Sequence, residues 1–106
     1  MNTVMPSICR HKDIGRTGHK CDSKAPVLAT QRTVFANNRP IARRGDPAGR
    51  HNILTRCGKR LCCRSHRAKL NKGSRTVFIL GIGVGRVRDS FDMKHMVQGS
   101  RNVFAG

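Results

Sequence analysis

The chain has 106 residues with no Trp, no Tyr, four Phe and eleven Gly, and its 22 Lys and Arg against five Asp give a formal charge of +17. One domain of this size with so little aromatic bulk cannot bury a large core, so a metal, disulfides or a partner chain must staple it. The charge predicts association with polyanions through counterion release. The longest apolar run, Val77 to Val84, falls short of the roughly 20 residues of a helical membrane span and is broken by Gly81 and Gly83.

From the N-terminus, Met1 to Lys12 lacks the apolar stretch of a secretory signal. Arg10, Asp13 and His19 then open a pattern that returns as Arg43, Asp46, His51 and as Arg86, Asp89, His95. Three repeats that each end in an imidazole predict a pseudo-threefold body whose repeats converge on one metal ion. Flanking residues keep the register: Arg32-Thr33-Val34-Phe35 returns 43 residues later as Arg75-Thr76-Val77-Phe78. Gly73-Ser74-Arg75 with Val77-Phe78 returns again as Gly99-Ser100-Arg101 with Val103-Phe104. The N-terminal copy matches only through its Arg, Asp and His.

Short β-compatible runs, Thr33 to Ala36 and Ile41 to Arg44, flank Asn37-Asn38, residues that tolerate the positive φ of a hairpin turn. Thr76 to Ile79 and Val84 to Val87 flank Leu80-Gly81 in the same way. Each repeat is therefore predicted to be a hairpin whose second strand closes at the Arg-x-x-Asp, with Val34-Phe35, Val77-Phe78 and Val103-Phe104 in the core or on a base face. Between the second and third repeats lies a basic, Cys-rich insertion, about residues 52–72, expected to form a long loop or short hairpin. Single Gly residues break any helical reading of the C-terminal half, and no linker divides the chain. The expectation is one all-β domain over residues 1–106.

Five Cys, an odd count without a secretory signal, argue against a purely disulfide framework and favour a metal. Cys57, Cys62 and Cys63 with His66 lack the Cys-x2-Cys opening of a zinc knuckle, so incidental thiols or one disulfide are the simpler reading. His11 is expected to be solvated. The Arg-x-x-Asp pairs read as ion pairs at hairpin ends, and no nucleophile with an adjacent base is legible, so catalysis is not expected.

Arg39-Pro40-Ile41-Ala42-Arg43-Arg44-Gly45-Asp46, Thr17-Gly18-His19-Lys20-Cys21 and Gly99-Ser100-Arg101-Asn102-Val103-Phe104-Ala105-Gly106 together resemble the PAAR-repeat proteins, the tips of contractile injection machines, in their phage baseplate branch. The resemblance covers nearly the whole chain except Cys57 to Lys72. It implies a small β-cone that caps a trimeric β-helical spike, one copy per trimer, with zinc near its apex. The family holds zinc with three His and one Cys, which puts His19, His51 and His66 at the metal and lets the Cys fall on Met93. A thioether is a poor zinc ligand, so His95 is the expected fourth ligand, with Cys21 next and Met93 third; an all-imidazole site would also suit iron.

The function so implied is a structural, membrane-piercing tip in the virion, assembled in the host cytoplasm, touching outer-membrane lipopolysaccharide transiently. Nucleic acid is not an expected partner, although a small basic zinc protein that binds it is the alternative from another class. A type VI secretion tip is the further alternative; an end at Gly106 within the motif favours a stand-alone tip over a toxin carrier.

Overall fold

The computed structural model describes residues 5–106; the first four residues of the Met1–Lys12 stretch, and of the expected 1–106 domain, lie outside the described residues. It is all-β, built from five antiparallel two-stranded hairpins, with no helix among the described residues. In chain order these are β1 (Ile14–Arg16) with β2 (Lys24–Pro26), β3 (Phe35–Ala36) with β4 (Arg39–Pro40), β5 (His51–Cys57) with β6 (Arg60–His66), β7 (Phe78–Ile79) with β8 (Ile82–Gly83), and β9 (Ser90–Phe91) with β10 (Lys94–His95).

The two turns expected at Asn37-Asn38 and Leu80-Gly81 form with all four residues at positive φ, 53°, 65°, 52° and 80°. A two-residue turn pairs Ala36 with Arg39 and Ile79 with Ile82, so the return strands begin at once, at Arg39 and Ile82. The runs expected to be those return strands, Ile41 to Arg44 and Val84 to Val87, are used differently. Ile41 bridges to Arg10, Arg43 to Val84 and Arg86 to Ile8, each reaching into another repeat.

One hydrogen-bonding unit occurs three times. Ile41 N–H donates to Val34 C=O at 3.0 Å, Val84 to Val77 at 3.1 Å and Ile8 to Val103 at 2.9 Å. Just before these pairs, Gln31 Oε1, Ser74 Oγ and Ser100 Oγ each accept two backbone N–H groups, those of Thr33 and Val34, Thr76 and Val77, and Asn102 and Val103. The Arg-x-x-Asp follows: Asp13, Asp46 and Asp89 accept from the backbone N–H of Arg10, Arg43 and Arg86 at 2.8, 2.8 and 2.9 Å, and each Asp N–H returns a bond to the Arg carbonyl. The weak N-terminal copy is thus half of a unit whose Val-Phe half stands at the other end of the sequence.

The three units are tied at one place. Cys9 N–H donates to Gly85 C=O at 2.8 Å, Gly85 to Ala42 at 2.8 Å and Ala42 to Cys9 at 2.9 Å, a closed ring of backbone bonds formed by the residues preceding the three Arg. Only small residues fit there: Cys9 and Ala42 are fully buried, and a Cβ on Gly85 would run into the Leu70 side chain. Cys9, Ala25, Val27, Ala42, Leu70, Phe91 and Met96 form one buried cluster, and Ile8, Ala36, Ile41, Ile79, Val84 and Ala105 a second.

Asp13, Asp46 and Asp89 are 1%, 3% and 7% exposed, which makes their turns expensive to disturb. Arg10 and Arg86 each pair back to their own Asp, and Asp13 takes a second cation, Arg39. In the middle unit Thr30 Oγ1 donates to Asp46 instead, and Arg43 turns outward to the Ile79 carbonyl, leaving its Nε without a partner. Asp13→Ala removes the acceptor of the Arg10 N–H and the shared anion of Arg10 and Arg39, which keep Asn37 and the His11 carbonyl, and should lower unfolding free energy by about 2 kcal/mol. Urea titration read by far-UV circular dichroism checks this, with Asp22→Ala, at a site of a different kind, for comparison.

Candidate metal centre

Each Arg-x-x-Asp turn is followed by a hairpin, and the three hairpins bring their polar residues to one point. The β1–β2 loop carries His19, the facing ends of β5 and β6 carry His51 and His66 as a cross-strand pair, and the tight β9–β10 turn carries Asp92 at φ 52°. One ligand atom from each of these four residues lies within 4.8 Å of every other. Nε2 of His51 is 2.8 Å from Asp92 Oδ2, and Nε2 of His19 and His66 are 3.1 and 3.3 Å from Oδ1. Four ligands at zinc distances are separated by about 3.3 Å along a tetrahedral edge, so the cluster could hold a metal ion with small inward shifts.

The chemistry of His51 decides what belongs between these groups. Its Nδ1 is 2.9 Å from the Gly49 carbonyl, which can only accept, so Nδ1 carries the proton. Nε2 of a neutral imidazole then presents a lone pair to a carboxylate oxygen, two acceptors face to face. A cation must lie between them, either a proton on Nε2 or a metal ion. An Nδ1–H held by a backbone carbonyl with Nε2 free for a ligand bond is the usual outer-shell arrangement of a metal-binding His.

The loop of His19 is fastened to the hairpin on both sides of the site. Cys21 and Cys63 form a disulfide with Cα atoms 5.9 Å apart, two residues from His19 and three from His66. Asp22 exchanges two bonds with Asn52, its carboxylate accepting from Asn52 N–H at 2.6 Å. Gly18, at φ 82°, lets the loop lie on the Asp92–Met93 turn; a Cβ there would stand 3.0 Å from that of Met93. From the other side Asn71 donates to the Asp92 carbonyl at 3.0 Å. Burial would raise the Asp92 pKa, but hydrogen bonds from His51 and His19, the charge of His19 and the bond from His66 outweigh it and hold the carboxyl below its usual value.

Of the expected ligands the structure brings together His19, His51 and His66 and leaves His95 out. Phe91 is fully buried, so its side of the β9–β10 hairpin is committed to the core; Ser90 and His95, paired one residue along, lie on the opposite face, and His95 is exposed. Asp92 supplies the fourth ligand atom instead. It could have been found by subtraction: three of five carboxylates belong to Arg-x-x-Asp turns, leaving Asp22 and Asp92. Met93, the third choice, is 69% exposed, and Cys21 is in its disulfide.

Cys57 pairs with Cys62, so two disulfides form where one at most was expected, and no thiol joins the cluster. Cys9 is free and buried in the core, its pKa pushed up by burial and then by Asp13 and Asp89. His11 is half-buried, accepting from Ala29 N–H at 3.0 Å, not simply solvated. A scan against protein-family models finds no match to this chain, and a search of curated proteins finds none either.

His51→Ala and Asp92→Ala should each lower zinc affinity by more than the roughly 10–100-fold that loss of an outer-shell partner costs, while His95→Ala leaves it unchanged; competition with a chromogenic chelator measures all three. Replacing Cys21 and Cys63 by Ser frees the His19 loop and should weaken binding about tenfold in the same titration. In metal-free protein the depressed Asp92 carboxyl contributes stability above its unfolded value, near 4, which is lost as pH falls through the lower folded value. The stability gap between native protein and Asp92→Asn should therefore shrink in thermal melts taken below about pH 4.

Proposed function

We propose that the protein is a metal-stapled tip of the PAAR-repeat kind, seated on the blunt end of a trimeric β-helical spike in a contractile injection machine. The observation that carries this reading is the repetition of one unit three times around the ring of Cys9, Ala42 and Gly85. A single chain built this way offers a threefold partner one matching face per subunit, which one asymmetric surface cannot do.

The three units also repeat what they leave uncovered. Phe35, Phe78 and Phe104, equivalent by register, are 52%, 54% and 46% exposed, and Val34 and Val77 beside them are exposed too. They were expected in the core or on a base face; their exposure favours the base face. Val34, Ile41, Val77, Phe78 and Ile8 line one shallow apolar groove that joins the units. A recurrent apolar feature of this sort on a chain of charge +17 suits a partner surface.

The four-ligand cluster suits zinc, with iron(II) as the alternative, since three imidazoles and one carboxylate serve both. In this role the ion does no chemistry. It fastens three converging hairpins that share little apolar surface, so that force delivered through the spike does not open the tip. No reaction is assigned to the protein, whose work would be to breach an outer membrane from a phage baseplate. A tip in a type VI secretion machine would use the same features.

Mixing the protein with a trimeric β-helical spike should give a complex of one copy per three spike chains, measured by light scattering in line with size exclusion. Phe35→Ser, Phe78→Ser and Phe104→Ser should each weaken capture about tenfold without loss of bound metal. Absence of a complex, or a one-to-one ratio of chains, refutes the reading.

A further inference from the structure

The β5–β6 hairpin is unlike the other four. Its strands have seven residues each where the others have two or three. A two-residue turn, Gly58-Lys59, closes it, the Cys57–Cys62 disulfide locks the turn, and Cys21–Cys63 with the His51/His66 pair anchors its far end at the metal cluster. It is a stiff arm fixed at the imidazole and carboxylate cluster.

Its surface has one sign. Arg56, Lys59, Arg60 and Arg64 are all exposed, and no acidic residue occurs between Asp46 and Asp89. Every carboxylate of the chain is engaged elsewhere: Asp13, Asp46 and Asp89 in their turns, Asp92 among the imidazoles, Asp22 on Asn52. No Lys or Arg of the hairpin has a salt-bridge partner among the described residues.

One face of the arm also carries two exposed leucines beside Arg56. In the antiparallel register Leu54 stands opposite Cys63 and Leu61 opposite Arg56, so the two leucines are diagonal neighbours on the same side. Leu61 is 66% exposed and Leu54 39%. Arg60 and Arg64 lie on the other side, across from Cys57 and Ile53. Single-stranded nucleic acid would call for stacking aromatics, and the hairpin has none.

We infer that the β5–β6 hairpin is a membrane-contacting arm that docks by its Leu54/Leu61 face on an anionic phospholipid leaflet, with Arg56 of that face and Lys59 of the turn on the headgroup phosphates and Leu61 and Leu54 in the interface below them. Unpaired cations interleaved with exposed aliphatic side chains match the two layers of such a surface, charge outside and hydrocarbon beneath. This deepens the spike-tip reading by naming the element that meets the membrane, yet it stands on the hairpin alone.

The test uses the full chain and sedimentation with vesicles of phosphatidylglycerol and phosphatidylcholine, against vesicles of phosphatidylcholine alone. Binding should require the anionic lipid. Arg56→Gln with Lys59→Gln should weaken it about 25-fold, near fivefold per cation, and clearly more than Arg16→Gln with Lys24→Gln, which removes the same charge from the exposed surface of β1 and β2. Leu61→Ser should weaken vesicle binding about tenfold and leave retention on duplex DNA unchanged.

Equal losses from the two charge pairs would mean diffuse attraction by the whole surface and overturn the proposal. So would full vesicle binding by Leu61→Ser, or hairpin cations that matter for DNA and not for vesicles. Capture by a spike trimer and bound metal, measured on the same variants, should stay at native levels. Failure of the arm is thereby separated from failure of the spike-tip reading.

Discussion

Three backbone hydrogen bonds, running from Cys9 to Gly85 to Ala42 and back, are the constraint on which this molecule rests. They join segments far apart in sequence at a point where only small side chains fit, and each joined residue leads straight into an Arg-x-x-Asp turn. The chain leaves each turn as a hairpin. Because the turns share one geometry, the hairpins depart in related directions, and their polar residues meet at the imidazole and carboxylate cluster. Outside β5–β6 the strands have only two or three residues, and repeated turns and single bridges take the place of extended sheet, as suits a chain with four Phe and eleven Gly.

Electrostatics follows from how few carboxylates there are. Three are spent on turn formation, where an oxygen accepting a backbone N–H at 2.8–2.9 Å replaces a capping interaction. A fourth faces three imidazoles and a fifth fastens the His19 loop. None remains free to pair with the exposed cations, so the positive charge that the composition sets is left unneutralised at the surface. The same economy gives the cluster its character: one anion beside three imidazoles can accept a divalent cation without a large residual charge.

The two stapling devices are coupled in space. The Cys21–Cys63 disulfide and the Asp22–Asn52 exchange hold the His19 loop against the hairpin that carries His51 and His66. An ion held at the cluster would restrain the same relative motion as the bond between the sulfurs. Redundant closure of this kind belongs to small domains whose buried clusters consist largely of Ala, Val, Ile and single large residues such as Phe91 and Met96.

What the sequence determined by itself was everything local. The spacing of Arg and Asp, the Asn37-Asn38 and Leu80-Gly81 turns and the three Val-Phe dipeptides were legible because turn chemistry depends on neighbours along the chain. Three members of the cluster, His19, His51 and His66, were singled out through motif position. What tertiary structure decided was pairing across distance: that Ile41 to Arg44 serves another repeat, that Val103 completes the unit begun at Ile8, that four Cys pair as they do. It also chose Asp92 over His95. A strand alternates its faces, and the sequence cannot say which face meets the core until Phe91 has been buried against residues from other parts of the chain.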